Sequence, residues 1–367
     1  MNVTMKWART LAATAAIAAT GVFTANAVAA DKVDFSGKTV EFIVPYTEGG
    51  GTDVYARLFQ PFLKKHLPGN PNVIIRNLPG GGSVMGSNRF EATAKPDGLM
   101  IVATSSSTLV AQLMGGDKRK FDTLAWRQII VSPQGTIIYA SKKTGVSGKD
   151  ILADIKKLSG QKLRYGAKQP DAGELRNIFA FELLGMKVET IFGLARGEVR
   201  QAMQRNEIEL NHDTAETYFE SVEPLVKEGE VVPLMSLGYA KRADIIRDPL
   251  FPNLPTVGEA YKELNGKDPS GPLWNTFTAF VNLAVNASKG IALPKGTPDA
   301  IRDAYIEAVK KSVADPEFLK LAGNETGHYP QLFGDDADFA IKQAVGLPPE
   351  VSKWLKDFML SRYDMKI

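Results

Sequence analysis

The stretch Val40–Phe59, "VEFIVPYTEGGGTDVYARLF", decides the fold. An apolar, β-rich run ends at Pro45. Gly49, Gly50 and Gly51 follow, and Thr52 and Asp53 then open a segment with helical spacing. Val54, Leu58 and Phe62 recur at i, i+4, as do Tyr55, Phe59 and Leu63, which is the period of an amphipathic helix. A helix that starts in this way leaves backbone N–H groups unpaired at the positive end of its dipole. Glycines place no Cβ between those groups and a guest, so anions are the favoured guests. Thr52 or Asp53 is placed to cap the helix and so use one of the N–H groups. The plainer reading of the loop is a tight turn with nothing bound. Pro61 lacks an N–H and should kink or end the helix.

Working outward, "NVIIRN" reads as the next strand, "LPGGGSVMGSNRFEATA" as a glycine turn entering a helix, and "LMIVATSSS" as a third strand. This succession argues for an α/β domain with a largely parallel sheet. A second set follows. "GTIIYAS", "KLRYGAK", "VETIFGL", "IELNHD" and "VVPLMSLGYA" are strand-like, and helical segments near "SGKDILADIKKLSG", "DAGELRNIFAFELLG" and "GEVRQAMQRNE" separate them. "GYAKRADIIRDPLFPNLPTVGEA" is Pro-rich and loop-like before it enters a helix. "NTFTAFVNLAV" reads as another strand. Thr297 and Pro298 are placed as N-cap and first residue of a long helix, and "PEVSKWLKDFML" is a last amphipathic helix. The expected class is α/β, with residues 31–131 plus 274–367 as one discontinuous domain and 132–273 as the second.

Residues 1–30 stand apart. Lys6 and Arg9 precede an Ala-rich uncharged run, and "ANAVAA" supplies small residues for cleavage, so the segment reads as a secretory signal peptide. The chain carries a formal charge of +3. Without Lys6 and Arg9 it carries +1, because the first thirty residues hold no acid. Such a balance gives no argument for nucleic acid or an anionic membrane. No later stretch reaches ~18 consecutive apolar residues, the length a membrane helix needs. An exported chain without cysteine fits a periplasm, where a domain of this size is stable on its own core.

The motifs exclude more than they assign. No Lys follows either glycine cluster, so there is no P-loop, and neither cluster has G-x-G-x-x-G spacing. His66, His212 and His328 make no H-x-x-x-H pair, so no metal site and no cofactor is expected. "GGSVM" fails the nucleophile-elbow pattern at its last position. Ser105, Ser106 and Ser107 sit at a strand end, where a hydrolase would need them to meet His212 and Asp213. The blander role for them is donating hydrogen bonds at a sheet edge. Lys168 and Gln169, in "YGAKQPDAGELR", lie where a cleft between two domains would place them. Arg196 is a weaker case of the same kind. Asp213 follows a strand end and is placed to orient a ligand's water or hydroxyl. Glu48 opposes an anion if it points inward, so it should point out or bond a ligand's polar far end.

"VEFIVPYTEGGGTDVYAR" resembles the first strand–loop–helix of tripartite tricarboxylate transporter receptors, the Bug/TctC-like family. "VIIRNLPGGGSVMGSNRFEATAKPDGLMIVATSSST" is similar to the family's second signature. "GEVRQAMQRNEIELN", "NLPTVGEA" and "LPKGTPDAIRDAYIEAVKKSVADPEF" resemble later segments in the same order. The resemblance implies a periplasmic binding protein of two α/β domains, type II-like, with a hinged ligand cleft. It implies capture of a small di-, tri- or aromatic carboxylate by a monomeric receptor that serves a membrane permease. Alternatives are a periplasmic hydrolase of a small carboxylate and a receptor for a membrane sensor. Carried over, the family's site falls on Tyr46, Thr47, Gly49, Gly50, Gly51, Thr52, Asp53, Ser105, Ser106 and Asp213. Two features depart from the family. Glu48 stands where relatives often have Ala, and the second-domain loop carries Lys168, Gln169, Pro170 and Asp171 in place of small residues.

Overall fold

A computed structural model describes residues 33–241, 244–323 and 329–367. His328 and the expected signal peptide lie outside the described residues.

Strands β1 (Thr39–Val44), β2 (Asn72–Asn77), β3 (Met100–Ser105), β4 (Arg127–Ser132), β12 (Lys289–Leu293) and β13 (Leu332–Phe333) form one sheet, ordered β13-β4-β12-β3-β1-β2. β1 pairs in parallel with β2 and β3, with Phe42 opposite Ile75 and Ile101. β12 runs antiparallel to both β3 and β4, placing Lys289 opposite Ser105 on one side and Ser132 on the other. Strands β5 (Thr136–Ser141), β6 (Lys162–Ala167), β7 (Lys187–Phe192), β8 (Leu210–Thr214) and β9 (Val231–Ser236) form the second sheet, ordered β7-β6-β8-β5-β9. There β6 is parallel to β7 and β8, and β5 is antiparallel to β8 and β9. Both sheets are therefore mixed and not largely parallel as expected: the parallel strands β3-β1-β2 and β7-β6-β8 occupy one side of each sheet, and the pairings on the other side are antiparallel. A short hairpin of β10 (Tyr239–Lys241) and β11 (Asp244–Ile246) lies inside the stretch read as loop.

Helix α1 (Gly51–His66) buries Tyr55, Phe59, Phe62 and Leu63 on β1, whose Val40, Phe42 and Val44 point to the same side. Ile43 points to the other side, onto Phe90 and Trp126. This alternation buries β1 on both faces, as parallel strands are buried. α1 does not stop at Pro61, which sits on its exposed face. The carbonyl that loses its partner, that of Arg57, belongs to an exposed residue and can turn to water.

Helices α2 (Val84–Thr93), α4 (Ile151–Ser159), α5 (Leu175–Leu183) and α6 (Arg196–Gln204) follow strands much as the sequence implies, whereas α3 (Ser106–Met114) is not among the helices expected and takes Ser106 and Ser107 out of the strand "LMIVATSSS". The short α7 (Ala215–Thr217) and α8 (Glu223–Lys227) lie after β8, and α9 (Val257–Asn265) after the hairpin. "NTFTAFVNLAV" is not a strand. It lies in α10 (Pro272–Val281) and the wider turn after it. Its Thr, Phe and Val residues have β propensity, but they also form a helical stripe in which Thr276, Phe277, Phe280 and Val281 are buried. Phe280 meets Phe179 of α5 edge-on at 5.1 Å, and that contact decides the matter. Helix α11 (Asp299–Ala314) starts one residue later than expected, because the Thr297 hydroxyl donates to the Pro294 carbonyl and does not cap. α12 (Pro316–Ala322), α13 (Gly334–Val345) and α14 (Pro349–Tyr363) complete the chain. Trp354 and Phe358 of α14 also pack on Phe179.

Candidate functional site

β1 delivers the chain to Pro45 and Tyr46, and the glycine loop then carries it into α1. Gly49 has φ +72°, a conformation that favours glycine. Gly50 is the N-cap of α1, with extended dihedrals of −79° and 156° and no side-chain cap. Neither Thr52 nor Asp53 caps the helix. Asp53 turns back beneath the loop and accepts from the Gly49 N–H (2.9 Å), Arg57 Nε (2.8 Å) and Asn77 Nδ2 (2.8 Å). Burial alone would raise the Asp53 carboxyl. The donors outweigh it and hold the group below the usual carboxylate range. Asp53 thus supports the loop from behind and leaves the first N–H groups of α1 to whatever occupies the cavity in front.

That cavity measures about 520 Å3. On the first sheet's side it is lined by Tyr46, Thr47, Glu48, Gly49, Gly50, Gly51 and Thr52, by Ser105, Ser106 and Ser107, and by Lys289. The serines are not loose ends of a strand. Ser105 caps α3 in a reciprocal pair with Thr108, and the Tyr46 hydroxyl bonds Ser105 Oγ (2.6 Å) and Thr108 Oγ1 (3.0 Å). Lys289 reaches toward the glycine loop, since a Cβ added at Gly51 would stand 3.8 Å from its Nζ. The opposite wall comes from the second sheet and includes Lys168 after β6, the first turns of α6 with Arg196 and Arg200, and Thr214 at the end of β8. The ends of β1, β3, β6 and β8 therefore converge on one space, the usual position of a ligand in an open α/β sheet.

The wall is basic. Lys168 Nζ lies 5.7 Å above the Tyr46 ring and 3.9 Å from Glu174 Oε1, and Arg196 reaches the same oxygen at 3.8 Å. Glu174 is buried, and its Oε2 has no hydrogen-bond partner among the described residues. Behind them the buried His212 ring joins Tyr165 through Nδ1 (2.7 Å) and Arg196 through Nε2. Burial, then the charges of Arg196, Arg176 and Lys168, push this imidazole well below its usual range. A guanidinium N–H aimed at Nε2 requires a lone pair there, so the neutral ring is the one that fits. Both ring nitrogens are thus engaged away from Ser105 and Ser106, and the alignment a hydrolase would need is not formed.

Three residues singled out in the sequence do not line the cavity: Asp53, Gln169 and Asp213. Asp213 is fully buried, held by Arg200 (3.0 and 3.1 Å) and by the Tyr139 hydroxyl (2.8 Å). It positions Arg200 and does not offer itself to a guest. Gln169 turns to Asp171 (2.8 Å) and packs against Gly82. Glu48 is exposed at the rim. Sequence reasoning missed Lys289, Arg200 and Thr214. Lys289 was hidden because "KGIAL" is a short strand next to the segment misread as one.

No family model matches the chain. Among relatives, Protein BugT of Bordetella pertussis is 37% identical over 100 residues, a match spanning 26% of this chain and 29% of that protein. A UPF0065 protein from the gbd 5′ region of Cupriavidus necator is 26% identical over 313 residues, 83% of each chain. Among solved structures, the periplasmic binding protein BugD superposes with TM-score 0.63 at 20% identity, covering 87% of this chain and 96% of its own. MatC from Rhodopseudomonas palustris with bound malate gives 0.61 at 20% identity, covering 86% and 97%. An R. palustris protein solved with adipate gives 0.64 at 19% identity, covering 89% and 97%. The fold is that of the two-domain periplasmic binding proteins. By sequence the chain is similar to BugT and to the UPF0065 protein, and in fold it is similar to BugD and to a TctC solute binding protein.

Proposed function

We propose that this chain is a periplasmic receptor that captures a small carboxylate and delivers it to the membrane permease of a tripartite tricarboxylate-type transporter. The observation that carries this reading is the uncapped start of α1, opening on a cavity with Lys289, Lys168 and Arg196 around it. Charge-assisted bonds from such N–H groups to a carboxylate contribute about 1.5–3 kcal/mol each. The malate and adipate seen in structures of the same fold belong to the class this cradle suits. In this reading the two sheets, with α10 and α14 carried on α5 of the second, are the bodies that close on the ligand, a division that departs from residues 274–367 belonging wholly to the first, and the closed form is what a permease would read.

Thermal denaturation in the presence of mono-, di-, tri- and aromatic carboxylates tests the proposal. A ligand present at about a hundred times its Kd adds about 2.7 kcal/mol and raises the melting temperature. If no carboxylate of any class shifts it, the reading fails.

A further inference from the structure

The cations around the cavity outnumber the acids placed to neutralise them. Arg200 is matched by Asp213, at 3.0 Å. Lys168 and Arg196 share one oxygen of Glu174, at 3.9 and 3.8 Å, which is charge contact beyond hydrogen-bond length. Buried Arg176 feels the charge of the same acid and, among the described residues, donates to the Gly173 carbonyl (2.8 Å) and, weakly, to Ser106 Oγ (3.4 Å). One carboxylate thus faces three cations. The remaining acids nearby do not relieve the excess. Glu198 accepts from the Ala195 N–H at 2.6 Å, and Glu48 stands exposed at the rim. Arg176 is lowered to about 10, by burial first and then by Arg196.

We infer that Lys168 and Arg196 form a second anion subsite, across the cavity from the glycine loop, that takes the distal carboxylate of a ligand bearing two. This rests on the carboxylate-receptor reading above and narrows it to dicarboxylates. Both side chains line the cavity, and Lys168 stands over the ring of Tyr46, the residue that begins the loop. One subsite is therefore within a small molecule's reach of the other. Glu174 is the internal stand-in for the distal carboxylate. Its oxygen lies beyond hydrogen-bond length from either cation, and Arg196 gives one N–H to His212, so an arriving carboxylate gains bonds from Lys168 and from the other guanidinium nitrogen that Glu174 does not make.

The test is calorimetric titration of the whole protein with succinate, glutarate and adipate against butanoate, pentanoate and hexanoate. At least one diacid should bind about tenfold or more tightly than its monoacid counterpart, a difference of about 1.4 kcal/mol. Arg196→Gln and Lys168→Met should each cut that ratio about fivefold or more. Glu174→Gln, which releases both cations, should tighten the preferred diacid. Circular dichroism establishes that each variant folds, and the wild-type ratio is decisive without any variant. Equal affinity for diacids and monoacids overturns the subsite, as does an unchanged ratio in Arg196→Gln. The carboxylate reading survives either result. If neither series binds, the subsite falls, and the carboxylate reading is decided by the thermal screen of all four classes.

Discussion

Replacing Gly50 by valine separates the loop's role in binding from its role in folding. Gly50 has φ −79° and ψ 156°, which valine adopts without strain. A Cβ placed there would meet its nearest neighbour, the Thr47 carbonyl, at 3.4 Å. The fold should therefore change by less than about 1 kcal/mol, since the lost contact is small and the stiffer unfolded chain offsets part of it. Binding is another matter. The valine methyls would stand over the N–H groups of Gly51 and Thr52, two charge-assisted donors contributing about 1.5–3 kcal/mol each. Losing both weakens the best carboxylate by about 3–6 kcal/mol, roughly a hundredfold or more in Kd. Urea denaturation and calorimetric titration on one preparation measure both quantities. Gly49→Val is the contrasting control, because φ +72° there costs a β-branched residue about 1–2 kcal/mol in the loop itself. A folded Gly50→Val protein that binds within threefold of wild type would refute the reasoning, because the donors would then not be what holds the ligand.

Arg200→Ala leaves Asp213 buried without its cation and should destabilise the fold by about 3 kcal/mol or more, read as a lower urea midpoint. An unchanged midpoint would mean that the pair contributes nothing. His212 sets a pH dependence with a definite sign. Its folded imidazole is held below the unfolded value of 6.5, so its contribution is intact above pH 6.5. As pH falls below that value the unfolded ring takes a proton and the folded ring does not, so stability declines by about 1.4 kcal/mol per pH unit until the folded ring titrates. His212→Gln should flatten that slope, and an unaltered pH profile would show that the folded ring titrates like the unfolded one. Pro61→Ala restores a backbone donor inside α1 and should raise the melting temperature, by up to about 3 kcal/mol of stability. A lower melting temperature would show that the ring packs where the structure leaves it exposed.

The glycine loop and its flanking strand and helix were legible because their signals are local: an apolar run, residues without Cβ, then a 3.6 period. The far wall was harder. Lys168 could be placed after a strand, but nothing in "GAKQ" says that the lysine faces the cavity while the glutamine turns to Asp171. Asp213 looked like a ligand group for the same reason that Arg200 did not: a residue at a strand end attracts attention, and its partner one turn into a helix does not. The helix α10 was misread because threonine, phenylalanine and valine serve both a strand and a buried helix, and only the packing of Phe280 on Phe179 separates the two. That error concealed β12 and with it Lys289, whose place opposite Ser105 is a matter of sheet order. Antiparallel insertion of a late strand between β3 and β4 leaves no mark in the residues of β3 or β4 themselves.

The bonds that Asp53 makes beneath the glycine loop bear on speed. Ordering a loop residue costs about 1–2 kcal/mol, and here that ordering is complete before any solute arrives. The rim does not have to assemble around each guest. In the receptor we propose, capture is limited by diffusion into a positively charged opening, and solutes differ mainly in how long they stay. A carboxylate that lines no part of the cavity thereby governs how quickly the receptor can reload.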